Sequence, residues 1–249
     1  MSTFQSYIVA SKRSLSSLIS SVTSSIPNAI LAAALILALS HIAYGFIISG
    51  GTPSAPVTLF TGKPVDSMDY VEGKTDSKVV IIEYSDPECP YCITLHPTMK
   101  QIRTEYGDKV AFIYRHFPLT QIHPDAFDES KAIECAGTLG GTRTFYQYVD
   151  SLYGYKLANK TTELPATGKE DIAANVGLDK KAFAACLESD DTTLTIDSST
   201  NDGVQAGVQG TPSSFILVKT KKGYEVIAMI DGARPYEYIE AAISEALSR

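Results

Sequence analysis

The 249-residue sequence has no surplus of basic charge. Lys and Arg number 21 against 28 Asp and Glu, a net charge of −7 with an isoelectric point near 5.1. That balance favours solubility and argues against nonspecific binding to nucleic acid. No internal repeat and no heptad pattern is visible, so a single ordinary globular fold is the expectation. Cysteine is sparse: four residues, with one CxxC pair at Cys89 and Cys92. A four-ligand zinc site is disfavoured because no second CxxC exists and only the isolated Cys135 and Cys186 remain as ligands. One redox pair plus one structural bridge is the simplest account, with two separate thiols as the alternative at Cys135 and Cys186.

Charge is also missing from Ala29 to Ile48, a run of about twenty residues, long enough to cross a bilayer core as a helix. Pro27 sits where a first helical turn loses nothing by lacking an N–H. Residues 1–26 are Ser-rich, and Lys12 and Arg13 are their only charges. No basic residue follows the run until Lys63, so the positive-inside rule places the N-terminus in the cytoplasm and the rest outside. The expected organisation is a tail over 1–26, a transmembrane signal anchor over 27–48, a linker over 49–64 and a folded domain over 65–249. A cleaved signal peptide, cut after Ala38-Leu39-Ser40, is the competing reading. Both readings export the domain to an extracytoplasmic compartment, membrane-attached in one case and secreted or periplasmic in the other.

The linker carries Gly50, Gly51, Pro53, Pro56 and Pro64, with a short strand foreseen at Val57–Phe60. Val79 to Tyr84 is β-branched and apolar, as a central strand should be. A helix follows from Cys89 to about Tyr106, with Leu95, Met99, Ile102 and Tyr106 at three- and four-residue spacing and a kink expected near Pro97. Val110 to His116 reads as a second strand, parallel to the first. The stretch of about 123–208 reads as helical: Pro124–Leu139, Phe145–Tyr155, Lys169–Val176, Asp179–Glu188 and Asp191–Val208. Two strands, Phe215–Thr220 and Glu225–Ile230, flank a Lys222-Gly223 turn, and a last helix covers Pro235–Leu247. The order is β-α-β, a helical block, then β-β-α, which packs most simply as one sheet covered by helices.

Cysteine attacks disulfides as the thiolate. A helix N-terminus carries about half a positive charge and unpaired N–H groups, and both favour that anion. Cys89 at this end is the expected attacking thiol, and Cys92, one turn in, is the expected resolving thiol. Tyr91 adds a ring between them but no cation.

The stretch Glu83-Tyr84-Ser85-Asp86-Pro87-Glu88-Cys89-Pro90-Tyr91-Cys92 resembles the active site of DsbA-like thiol–disulfide oxidoreductases. Tyr114-Arg115-His116-Phe117-Pro118-Leu119 with His123-Pro124, Gly207-Val208-Gln209-Gly210-Thr211-Pro212 and Asp231-Gly232-Ala233-Arg234-Pro235-Tyr236 are similar to later segments of that family, in the same order. The resemblance implies an α/β thioredoxin-like fold with an inserted helical subdomain and no cofactor. It implies that Pro212 is a cis-proline and that Thr211 pairs its backbone with an extended substrate beside Cys89. It implies that Glu83 is a buried acid exchanging a proton with Cys92, against a solvated strand-end carboxylate as the plain alternative. It also implies that Cys135 and Cys186 form a second, non-catalytic disulfide. His96 is expected at the surface or at the kink, and His116 and His123 as structural residues. The Tyr-rich stretch from Phe145 to Tyr155 is expected to serve as core and groove lining.

The function expected from this resemblance is oxidation of exported protein or peptide thiols by a monomeric enzyme, reoxidised by a quinone-linked membrane partner. Isomerase or reductase activity is the alternative within the class, since Pro90-Tyr91 lacks the His that the best-known oxidases place before the second cysteine. No dimerisation domain is visible, which counts against a dimeric isomerase. A redox-inactive peptide-binding chaperone is the alternative outside the class.

Overall fold

The computed structural model describes residues 58–249. The anchor expected over 27–48 and the tail before it lie outside the described residues. Among the described residues, no helix is long and apolar enough to cross a membrane.

Five strands form one sheet: β1 (Val71–Gly73), β2 (Val79–Ser85), β3 (Val110–His116), β4 (Ser213–Thr220) and β5 (Gly223–Asp231). Their spatial order is β1-β3-β2-β4-β5. β2 and β3 run parallel, with Glu83 beside Tyr114 and Ser85 beside His116. All other pairings are antiparallel. Every residue of β2 is buried. A central strand covered on both faces needs such an uninterrupted apolar run, and the sequence of β2 supplies it up to Glu83.

Helix α1 (Pro90–Tyr106) links β2 to β3. It buries Cys92, Ile93, Leu95, Met99 and Ile102 against the sheet. The kink expected at Pro97 does not divide it; α1 is a single helix of 17 residues. The block between β3 and β4 holds α2 (Ala126–Asn159), α3 (Gly168–Asn175), α4 (Lys180–Leu187) and α5 (Asp191–Ala206), and α6 (Tyr236–Ser248) ends the chain.

Alternation along β2 divides the core. Val79 and Ile81 join one cluster with Cys92, Leu95, Tyr114, Phe145, Tyr153 and Ile239. Val80, Ile82 and Tyr84 join the other with Phe117, Val208, Phe215 and Leu217. On this second face α5 approaches closely through Gly203, where an added Cβ would lie 2.6 Å from the Phe117 ring. Beside it Arg115 donates to both oxygens of Asp69, at 2.9 Å each, and to Asp202 at 2.6 Å.

Three features bear on the expectations. The two helices expected at Pro124–Leu139 and Phe145–Tyr155 are both present and meet at a kink at Gly141, whose φ of 73° is a conformation glycine tolerates; together they make up α2. The strand β1 at Val71–Gly73 was not foreseen, being only three residues long. Residues 58–64, where a linker with a short strand was expected, are held against the sheet. Leu59 bridges Glu225, Phe60 packs on Phe215 at 5.0 Å between ring centroids, and the Lys63 N–H donates to Asp202.

Candidate active site

β2 ends at Ser85, and four residues later the chain reaches Cys89 at the start of α1. Cys89 occupies the N-cap position with an extended backbone, and Pro90 opens the first turn. No side-chain hydrogen bond caps this end, so its backbone donors remain available to the sulfur. The Cys89 thiol donates to the Thr211 carbonyl at 3.3 Å. Cys89 and Cys92 are free thiols, and both are buried.

The two sulfurs sit in opposite environments. The Cys92 side chain hydrogen-bonds Cys89 and lowers it to about 6, against the opposing effect of burial. The nearby Thr211 side chain and the N–H groups of Cys92 and Tyr91 add to the lowering. The Thr211 hydroxyl is buried and makes no hydrogen bond among the described residues. Cys92 is wholly buried, and burial, followed by the adjoining Cys89, pushes it well above its ordinary value. Its sulfur accepts a hydrogen bond from the Asp86 N–H at 3.4 Å. Such an asymmetric pair presents one thiolate and shelters one thiol.

Thr211-Pro212 is a cis peptide bond at the start of β4. It borders an open groove lined by Gln209, Thr211, Pro212, Met229, Asp231 and Gly232. Tyr91 stands out on the surface at 65% exposure.

Glu83 is 4% exposed and therefore not the solvated strand-end carboxylate. Burial pushes it up to about 7, against the pull of a Ser85 hydrogen bond and of Arg103. Glu83 and Ser85 alternate onto the same face of β2. The Ser85 side chain lowers Cys92 as well as Glu83, so it stands between the two groups. Its hydroxyl lies 3.1 Å from the Tyr153 hydroxyl, which lies 3.1 Å from that of Tyr114.

Asp86 organises the turn between β2 and α1. One carboxylate oxygen accepts from the N–H of Glu88 at 2.7 Å and of Cys89 at 3.1 Å. The other accepts from the Leu119 N–H at 2.7 Å and meets His123 Nδ1 at 2.8 Å. His123 thus bears on the active-site turn, whereas His116 pairs with Glu134 at 2.9 Å in the block. His96 is not a surface residue: it stacks on Tyr153 at 4.8 Å and reaches Asp150 at 3.0 Å. Phe145, Tyr146, Tyr148 and Tyr153 are core, and Tyr155 is partly exposed.

Cys135 and Cys186 are bonded at 2.02 Å, joining α2 to α4. Among the described residues, no three His, Cys, Asp or Glu side chains converge as a metal site. Ser85, Asp86, Tyr153 and Thr211 Oγ1 carry roles that sequence reasoning did not assign. Asp86 and Ser85 stood inside the motif. Tyr153 had only its aromatic neighbours as a signal.

A thioredoxin-like sheet carrying CxxC at a helix start, faced by a cis-proline loop and interrupted by a helical block, defines a class. It is the class of thioredoxin folds with an inserted helical block. The family model described as "Thioredoxin" matches residues 66–243, and the chain belongs to that family. The thiol-disulfide exchange protein alpha-DsbA2 of Wolbachia pipientis shares the fold, with a TM-score of 0.59, 19% identity, and 72% of this chain and 88% of that one covered. The catalytic domain of Proteus mirabilis ScsC does so too, with a TM-score of 0.59, 23% identity, and 74% and 92% covered. Among curated sequences, the Na(+)/H(+) antiporter NhaA 1 of Mycobacterium sp. (strain KMS) is 29% identical over 175 residues. The match takes in 69% of this chain and 27% of the antiporter.

Proposed function

We propose that the protein is an extracytoplasmic thiol–disulfide oxidoreductase that forms disulfides in exported proteins through Cys89 and Cys92. The observation that carries this reading is the geometry of the pair: Cys89 sits at the N-cap of α1 against the carbonyl of the cis Thr211-Pro212 loop, and Cys92 lies wholly buried one turn in, so that Cys89 is lowered to about 6 and Cys92 is pushed well above its usual range. A thiolate that persists at neutral pH stabilises the reduced enzyme, and a stabilised reduced form is what makes a disulfide a good oxidant.

In the oxidised enzyme, a substrate thiolate attacks the Cys89 sulfur. The Cys89–Cys92 bond breaks, a mixed disulfide forms, and Cys92 leaves with the electron pair and takes up a proton. Glu83, buried and reached through Ser85, is the proposed proton source. A second substrate thiolate then attacks the substrate sulfur of the mixed disulfide, and Cys89 leaves as a thiolate. The substrate has lost two electrons and the enzyme holds them as a dithiol. In this scheme the extended substrate pairs with the backbone of Thr211, and Pro212, lacking an N–H, leaves room near the sulfurs.

The uncharged run from Ala29 to Ile48 supports an anchor that keeps the domain at the outer face of the membrane. A quinone-linked membrane reoxidase would close the cycle there. The antiport named for the curated relatives is not carried over, because the chain covers only 27% of the first of them.

The deciding experiment is the Cys89–Cys92 reduction potential, set by equilibration with glutathione, together with oxidation of a reduced two-cysteine peptide by wild type and Cys89→Ala. The reading expects a potential well above that of thioredoxin and no turnover by the variant. A value near thioredoxin's, about −270 mV, would assign the protein to reduction instead.

A further inference from the structure

Lys156 is fully buried, with 0% of its surface exposed, on the last turn of α2. Lys is almost never buried in this way unless paired. Its ammonium is paired twice: it bonds Glu129, itself 2% exposed, and donates at 3.0 Å to the Pro87 carbonyl. Pro87 lies two residues before Cys89. Lys156 also lines the groove that includes Pro90, Ile93 and Thr94, the first turn of the active-site helix.

The other ionisable groups around this corner are acidic. Glu88 accepts from the Asp125 N–H at 2.6 Å, and Asp86 accepts from Cys89 itself. Lys156, Asp125 and Asp86 all act on the Glu88 carboxyl, and Lys156, Glu88 and Asp125 all act on that of Glu129. Apart from His123, which faces Asp86, Lys156 is the one cation that the described side chains set against this cluster. Without it, the thiolate of Cys89 would form next to Glu88 in the chain and in the turn that the Asp86 carboxylate holds, and like charge disfavours it.

We propose that Lys156 and Glu129 are opposed positioning residues that set the reactivity of Cys89: Lys156 fixes the Pro87 carbonyl and supplies the positive charge favouring the thiolate, and Glu129 offsets that charge. The cation acts from a desolvated position, where screening is weak. Neither residue touches substrate. This inference rests on the reading of Cys89 as the attacking thiol.

Opposite signs distinguish this role from a structural one. Glu129→Gln keeps the shape and leaves Lys156 uncompensated. It should lower the Cys89 pKa, followed by thiolate absorbance, and make the glutathione equilibrium above neutral pH more oxidising. Lys156→Met should raise the pKa and shift that equilibrium about tenfold toward a less oxidising enzyme, about 30 mV. Lys156→Arg should restore most of the effect. Circular dichroism reports whether each variant is folded. If Lys156→Met fails to fold, the sign for Glu129→Gln decides alone. Movement of both folded variants in the same direction, or no change in Glu129→Gln, overturns the proposal. If wild type does not exchange with glutathione at all, the oxidoreductase reading fails instead.

Discussion

Glu83 is costly to bury and is buried nonetheless, so its protonation must be tied to folding. Its carboxyl is raised from 4.5 to about 7 in the folded chain, chiefly by desolvation. The folded state therefore holds the proton more tightly than the unfolded state, and this contribution to stability is complete below about 4.5 and lost as pH rises toward 7. Glu83→Gln removes that dependence. In the oxidised protein, denaturant unfolding at pH 4 and pH 8 should show the variant gaining about 3 kcal/mol relative to wild type between the two. Glu129 is raised in the same range by burial, but it is common to both proteins and cancels in the comparison. An equal loss of stability in both proteins would place Glu83 in solvent. Thr211 gives a second test. Its hydroxyl helps lower Cys89, so Thr211→Val should raise the Cys89 pKa, read from thiolate absorbance, while leaving the fold intact. The cysteines, Glu83 and Pro212 were legible because the motif places them by spacing along the chain. Ser85 and Lys156 were not, because their partners lie far off in sequence: Lys156 meets Pro87 across 69 residues and Tyr153 meets Ser85 across 68. Asp86 was not, because it joins the nearby Glu88 and Cys89 N–H groups to Leu119 and His123, 33 and 37 residues on. Lys156 did carry a local trace, standing at helical spacing after the buried Val149, Leu152 and Tyr153.

At the level of elements, β2 and β3 were readable almost residue for residue, because a central strand must be continuously apolar. The division of α2 was readable too: the two helical stretches expected there meet at the kink at Gly141, and the second buries Phe145, Tyr148 and Tyr153. α4 is held to α2 by Cys135–Cys186, across a separation of 51 residues. It is only eight residues long, too short to be helical by itself. Removing both sulfurs as Cys135→Ala/Cys186→Ala should cost up to about 4 kcal/mol on the chain-entropy model. Thermal unfolding with and without the bridge would measure it. Redox exchange at Cys89 should survive wherever the double variant remains folded, since neither sulfur contacts the active-site pair. A shifted active-site potential in the folded variant would show that the bridge tunes the site as well as bracing the block.

For the molecule as a whole, stability and redox chemistry are one quantity seen from two sides. The disulfide form has no titrating cysteine at the active site. The dithiol form has Cys89, which ionises at about 6 when folded against an ordinary value of 9.0. An acid whose folded pKa is depressed adds stability above its unfolded pKa and loses it as pH falls through the folded one. Cys92 shifts the opposite way, above 9.0, so it is protonated in both states below that pH. Glu83 is present in both redox forms and its effect largely cancels in their difference. The reduced protein should therefore gain stability over the oxidised one as pH rises from about 6 toward 9, on the order of 1 kcal/mol per pH unit. Paired melts of the two forms across that window test it directly. A thermodynamic cycle links the result to the glutathione equilibrium: whatever stabilises the folded dithiol over its unfolded counterpart strengthens the oxidising power of the folded disulfide by the same amount. A difference that stayed flat from pH 6 to 8 would mean that Cys89 is no more acidic folded than unfolded. The direction of electron flow proposed for the protein would then lose its physical basis.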